Sequence, residues 1–492
     1  MTLQRNAYHH GIGEIGSRFP LIALEFLLAR LLGPATYGLW SILQTIIQYG
    51  NFLHFGTVSS LSRREPGLHV EGKTEEIKAL RSATYGFQIL VVLLVFFVSV
   101  CVVMVLRLVG MRYEFDFLIP ALILTVFLQQ VQITQQSSAI NNFRFTENSQ
   151  CRILFSVMFF VLGIASSRLE RPLFWLLMAW SGALLCSVGL LLRMVPEIRS
   201  LPRFDLLRSV GLVKDGFPIF FQGLLRLLLT NIDKLAMWYL APAAMLGVYA
   251  LGTLTAGVCA MMFAIIGRVS LPTLLRQKAG FEASELIAES IEKTFRLAIQ
   301  LAVIVALGVG AFAPVLITLA LPAYVTGYWS TTILACAGVF LGLAQVAADI
   351  MLSFGVKRKV VLATIYALIA MLCAVLAAWF MFREIEAIAI ATFLVFVGYS
   401  VFLCFSCFCT IGLTLADSLK RTRKSLRWLP IFVIVAVGVT LIQLILIDTL
   451  HVRHWIFWGG NIFLLLGFTG LSIKILRPKW LLFDLGVNGE KT

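Results

Sequence analysis

Residues 88–108 read QILVVLLVFFVSVCVVMVLRL, a stretch of 21 with a single charge, Arg107. At about 1.5 Å of rise per residue, a helix of that length spans roughly 30 Å, the thickness of a bilayer's hydrocarbon core. Hydrocarbon offers the backbone no hydrogen-bond partner, so such a run must bond within itself as an α-helix. The other spanning fold, a β-barrel, needs strands of about ten residues alternating apolar and polar. No such alternation interrupts this run. The rest of the chain agrees with it: 492 residues, 60% hydrophobic and only 13% charged. Soluble domains are about 45–50% apolar and about 25% charged, so a soluble multidomain enzyme is excluded.

Working outward from 88–108, fourteen such stretches can be read: 9–31, 36–61, 84–109, 117–139, 153–167, 173–194, 217–240, 245–270, 296–320, 330–352, 360–381, 387–412, 429–450 and 455–476. The fifth is short and must borrow flanking residues. The fold class expected is therefore all-α, a polytopic membrane protein of about 14 transmembrane helices. Direction follows from Lys and Arg in the connections. With the N-terminus inside, and residues near a span's end counted with the connection they adjoin, inner connections carry 30 of these residues, outer connections seven, and span interiors three: Arg18, Arg226 and Lys234. Both termini are thus expected in the cytoplasm. The net charge of +15 is then a topological signal rather than a nucleic-acid footprint. Span 1 holds Glu14, Arg18 and Glu25, which does not suit a cleaved signal core. The nine cysteines fall mostly within spans, so neither a disulfide framework nor a metal site is expected.

The outer connections are short, too short for a folded catalytic face, and no nucleophile–base pair stands out. No enzyme activity and no cofactor are expected. The inner connections 62–83, 195–216 and 271–295 are longer. The last sets Phe281, Leu286, Ile287 and Ile291 among Glu282, Glu285, Glu289 and Glu292, the pattern of an amphipathic helix lying along the inner membrane surface.

An offset of 208 residues lays span 1 on span 7. Glu14 then meets Gln222, Arg18 meets Arg226, Glu25 meets Asp233 and Pro34 meets Pro242. One inserted residue later, Gly38 meets Gly247. Six spans separate the copies, so both cross in the same direction, a parallel repeat. The expected division is an N-terminal lobe over 1–215, a C-terminal lobe over 216–428, and a helix pair with a cytoplasmic tail over 429–492.

Charges inside a span are costly and mark candidate sites. Glu14, Arg18 and Glu25 lie within about 40° of one another on a helical wheel. Gln222, Arg226 and Asp233 repeat that face, with Lys234 at its edge. Span 2 adds Gln44, Gln48 and Asn51 on one stripe, and span 4 adds Gln129, Gln132 and Gln136. Packed helices can also satisfy such amides between themselves, and His54 is best read that way. Arginine suits bidentate phosphate recognition. Arg18, Arg226 and Lys234 are therefore the candidate anion-binding residues. Glu14, Glu25, Gln222, Asp233, Gln48 and Asn51 are candidate cavity or coupling groups.

The stretches LARLLGPATYGLW (28–40), GFPIFFQGLLRLLLTNIDKLAMWYL (216–240) and LGVYALGTL (246–254) resemble the polysaccharide and O-antigen (Wzx-type) flippases of the multidrug/oligosaccharidyl-lipid/polysaccharide exporter superfamily. The resemblance implies two six-helix bundles forming a V around a cavity lined by spans 1, 2, 7 and 8. It implies alternating access and transport of an undecaprenyl-pyrophosphate-linked oligosaccharide from the inner to the outer leaflet of a bacterial inner membrane. The partners it implies are the lipid-linked oligosaccharide, membrane lipids and glycan polymerase or assembly proteins, with the chain itself a monomer. Two alternatives stay open within the superfamily, a cation-coupled multidrug extruder and a lipid II flippase. A membrane glycan polymerase or ligase is a third reading, disfavoured by the short outer connections.

Overall fold

A computed structural model describes residues 2–108, 117–279 and 284–426. Side chains are described from Gly16 onward, apart from residues 105–108 and part of the stretch 262–319. The described residues form thirteen α-helices and no strand. These are α1 (Thr2–Gly50), α2 (Thr57–Val70), α3 (Thr74–Leu108), α4 (Leu118–Asn141), α5 (Phe145–Ser166), α6 (Pro172–Met194) and α7 (Leu206–Leu240). They continue with α8 (Ala243–Ala279), α9 (Ser284–Ala320), α10 (Tyr328–Ser353), α11 (Lys357–Phe382), α12 (Ile385–Thr410) and α13 (Leu415–Leu426). Nine helical stretches among the described residues are long and apolar enough to cross a membrane. The chain is an all-helical, multi-pass membrane protein. The expected spans 429–450 and 455–476 lie outside the described residues.

Spans 3 to 12 each correspond to one helix, most of them longer than the apolar run. The short fifth span does borrow its flank, since α5 starts eight residues before it, at Phe145. Spans 1 and 2 differ. They form one element, α1, folded across Gly33 (φ 73°, ψ 168°). Glycine reaches that φ without a Cβ clash, and Pro34 next to it has no N–H to continue the ladder. Span 2, expected unbroken over 36–61, opens after Gly50 and resumes as α2 at Thr57. His54 Nδ1 accepts from the Gly56 N–H at 2.9 Å, with Gly56 at φ 93°. This local bond and the left-handed glycine turn the chain where an uninterrupted helix was expected. His54 is a structural residue, its ring against Phe52 and Phe220.

The described parts of the connection 271–295 belong to α8 and α9 rather than to a separate surface helix; residues 280–283, Phe281 and Glu282 among them, lie outside the described residues. α8 runs on to Ala279, and α9 runs from Ser284 straight through the expected start of span 9. The acids of this first part of α9 have specific partners. Glu292 meets Arg296 at 2.7 Å and Lys424 at 2.9 Å, and Arg421 reaches Glu285 and Glu292. Arg421 and Lys424 belong to α13, a cationic amphipathic helix that apolar-run counting missed. Its apolar positions are too few to register as a span, yet its cations meet acids that are far away in sequence.

By contacts the chain divides into two compact units, 1–247 and 248–492. In the first, α1 packs on α5, α5 on α6, α6 on α4 and α4 on α3, while α7 packs on α1, α2 and α3. In the second, α10 packs on α9, α11 and α12. Composition explains which helices are central. α10 is rich in Ala, Gly, Ser and Thr, which let helices approach closely, and 83% of its most apolar window is buried. α3 is large and aliphatic, and only 11% of its most apolar stretch is buried.

Candidate functional site

The expected site residues begin on α1 and α7, which pack together within the first unit. Glu25 is half-buried on α1. Its carboxylate accepts from Gln44 Nε2 at 2.5 Å and from Tyr37 Oη at 3.3 Å. Both donors lie beyond the Gly33 kink, so the bend brings the second half of α1 back to the acid on the first half. From α7, Lys234 lies within electrostatic reach of Glu25 and of its own neighbour Asp233. Asp233 is buried, accepts from the Lys234 backbone N–H at 2.8 Å, and is in electrostatic reach of Tyr49. Glu25, Asp233 and Lys234 thus form one group, to which the fold adds Tyr37, Gln44 and Tyr49. Two acids against one lysine is a near-balanced set for a low-dielectric place, where an isolated charge is costly.

Arg18 is half-buried on α1 and Arg226 is exposed on α7. Each is engaged by a neighbour. Along their helices both lie about 10 Å before the acidic group, seven residues in each case, counting to Glu25 and to Asp233. The two helices therefore carry a cationic level and, further along, an acid–lysine level. Gln222 is half-buried one turn before Arg226. Gln48 is exposed, and Asn51 is half-buried with no donor on its Oδ1. The side chain of Glu14 lies outside the described residues.

The span 4 amides take the structural role. Gln129 accepts from Trp180 Nε1 at 3.2 Å, and Gln132 Nε2 donates to Ser187 Oγ at 3.1 Å. Gln130 donates to the Gly50 carbonyl, and Gln88 Nε2 donates to Thr134 Oγ1 at 2.7 Å. These are interhelical bonds of the kind that hold membrane helices together. Among the described residues no group of three His, Cys, Asp or Glu is arranged to hold a metal.

Sequence reading missed two features. The first is a buried ion pair. Arg81 Nε donates to Glu65 Oε1 at 2.9 Å, and both residues are nearly free of exposed surface. Asn141 Nδ2 donates to Glu65 Oε2 at 2.9 Å, and Arg81 Nη1 donates to the Glu197 carbonyl at 2.6 Å. α2, α3, α4 and the turn after α6 are thereby tied at one point. The signal was present, since Glu65 follows Arg63 and Arg64 in a segment read only as connection. The second is a reciprocal contact between the repeated motifs. A Cβ on Gly38 would collide with the Ala243 carbonyl, and one on Gly247 would collide with the Pro34 carbonyl. Pro34 and Gly38 are the repeat mates of Pro242 and Gly247, so equivalent motifs cross backbone to backbone.

Comparison with known proteins supplies the family. No curated protein matches the sequence. Among solved structures, the lipid II flippase MurJ in an inward closed conformation is similar at 14% identity, over 88% of this chain and 97% of that one, with TM-score 0.64. The eukaryotic MATE transporter AtDTX14 is similar at 13% identity, over 86% and 98%, with TM-score 0.59. A mutant of the Vibrio cholerae MATE transporter VcmN is similar at 14% identity, over 87% and 96%, with TM-score 0.58. At these identities the likeness shows a shared fold, that of the MOP-superfamily exporters. The family model for polysaccharide biosynthesis proteins matches residues 27–324, well over half of the chain, and includes the second half of α1, all of α7 and both copies of the crossing motif. The chain is a member of the polysaccharide biosynthesis protein family, built on the fold of the MOP-superfamily flippases and exporters.

Proposed function

We propose that the protein is a flippase for an undecaprenyl-pyrophosphate-linked oligosaccharide, such as an O-antigen, capsule or exopolysaccharide repeat unit. It carries this substrate from the cytoplasmic to the outer leaflet of a bacterial inner membrane by alternating access. In this reading 1–215 and 216–428 are the two moving lobes, 429–492 is an appended pair with its tail, and both termini are cytoplasmic. The chain works as a monomer, beside the polymerase or assembly proteins that consume its product, and performs no bond chemistry.

The observation that carries the reading is the two-level arrangement on α1 and α7. Arg18 and Arg226 occupy repeat-equivalent places, two turns nearer the cytoplasmic ends of their helices than the Glu25–Asp233–Lys234 group. Lys234 is offset by two acids, so binding of the pyrophosphate rests on the arginines. The acids further out weaken that hold as the substrate advances, and they are where a coupling proton or sodium ion acts. The sugars occupy the polar faces of α1 and α7 while the lipid tail stays in the bilayer.

Arg18→Ala and Arg226→Ala are each expected to abolish glycan export at unchanged protein level. Full export in the double variant overturns the site. A deletion strain should accumulate a lipid-linked intermediate, whose analysis names the substrate. Accumulated lipid II would instead favour the reading suggested by the likeness to MurJ. Drug sensitivity with intact surface glycan would favour a multidrug extruder, in line with the MATE likeness.

A further inference from the structure

The first unit holds a second place built for a ligand, lined by α3, α4, the end of α6 and the connection to α7 rather than by the charged faces of α1 and α7. It is a cavity of about 410 Å³ bordered by Tyr85, Gln88, Phe127, Gln135, Arg199 and Ser200, among others. Gln88 is 1% exposed and Gln135 is 3% exposed. On this wall three buried oxygens have no hydrogen-bond partner: Gln88 Oε1, Gln135 Oε1 and Ser200 Oγ. Buried polar atoms are nearly always paired, so three orphans around one cavity form a marked concentration. Two of them are amide oxygens, which only accept, so the ligand that satisfies them must bring donors.

The connection forming the outer wall is pinned at both ends. Glu197 gives its carbonyl to Arg81 at 2.6 Å, and the Arg203 N–H donates to the Ser82 carbonyl at 2.9 Å. Between and beyond these pins, the chain sets arginines among exposed apolar side chains. Leu201 is 86% exposed, Phe204 64% and Leu207 90%, interleaved with Arg199, Arg203 and Arg208. Large apolar groups left that open suit acyl chains, and the arginines beside them suit lipid phosphates.

We propose that this cavity binds the headgroup of an anionic, hydroxyl-bearing phospholipid, phosphatidylglycerol being the simplest. Its glycerol hydroxyls donate to the oxygens of Gln88 and Gln135, which turn toward them. Arg199 at the mouth takes the phosphate, and the acyl chains run out past Leu201. Charge complementarity selects an anion, and the orphan acceptors select hydroxyls over a bare phosphate.

The test is native mass spectrometry of the purified full chain, released from phosphatidylcholine nanodiscs doped with phosphatidylglycerol, phosphatidic acid or phosphatidylethanolamine. Phosphatidylglycerol should be retained about tenfold over phosphatidylcholine, which has the same phosphodiester but sets a choline cation beside Arg199 and offers the glutamine oxygens no donor; that is the factor one or two neutral hydrogen bonds supply, and retention should also exceed that of phosphatidic acid. Arg199→Ala should lower retention of both anionic lipids. Gln88→Leu with Gln135→Leu should remove the preference for phosphatidylglycerol over phosphatidic acid while leaving the preference for an anion. Leu201→Trp, at a position that packs against little, narrows the mouth and should reduce retention even if the glutamine variants do not fold. Equal retention of phosphatidylglycerol and phosphatidylcholine, equal retention of the two anionic lipids, or unchanged binding in Arg199→Ala and Leu201→Trp overturns the proposal.

Discussion

Glu65 is a charged residue with no exposed surface, and Arg81 and Asn141 are what make that tolerable. Removing one partner of such a pair leaves the other buried and uncompensated, which costs about 3–5 kcal/mol. Arg81→Met should therefore lower the thermal midpoint of the detergent-purified protein sharply. The double variant Glu65→Met with Arg81→Met should recover much of the loss, because it removes both charges; an equal or greater loss would show that the pair is worth more than its desolvation. At this scale helical periodicity suffices to group the charges of spans 1 and 7 by face. The 3.6-residue period alone places Arg18 and Glu25 on one face, as it does Arg226 and Asp233. It does not show that Tyr37 and Gln44 donate to Glu25, because those bonds need a bend at Gly33 that periodicity does not measure.

Helices meet here through small residues and short polar bonds, so elements are sensitive to added bulk. At Gly38 the neighbour is the Ala243 backbone, which cannot swing aside as a flexible side chain can. Gly38→Val should destabilise by roughly 3 kcal/mol, the upper part of the range for overpacking, and membrane-inserted protein should fall accordingly. Gly182→Val, with nothing within 4 Å of an added Cβ, is the control that should not. The start of α9 and α13 are held by charge. Burial tends to raise the Glu292 carboxyl, but the hydrogen bonds and charges of Lys424 and Arg296 outweigh it and hold the group below its ordinary value of 4.5. A folded-state pKa below the unfolded one adds stability that is full at neutral pH and is lost as pH falls through the folded value. Thermal stability of the wild type should thus exceed that of Glu292→Gln at pH 7, and the gap should close only as the pH falls below the ordinary carboxyl value and through the folded one. A gap that is constant across the acid range would place the stabilisation elsewhere.

For the whole molecule, the charge asymmetry of the connections remains the most accessible prediction. A cysteine introduced at Lys73, in the 62–83 connection, should react with a membrane-impermeant thiol reagent only after the cells are opened; one introduced at Arg383, between spans 11 and 12, should react in intact cells. Reaction in the opposite order would invert the topology. Length, hydropathy and the parallel repeat were sufficient for the fold class, because hydrocarbon forces every crossing segment to be a helix whatever its neighbours. They were also sufficient to pick the repeat-equivalent charges, since a fixed offset needs no coordinates. Tertiary structure alone decided where span 2 opens, how the first part of α9 finds α13, which glutamines serve as glue, and that a cavity with unpaired buried acceptors lies beside Gln88 and Gln135. Each of these depends on which residues, distant in the chain, come within hydrogen-bond reach of one another, and local sequence patterns carry no record of that.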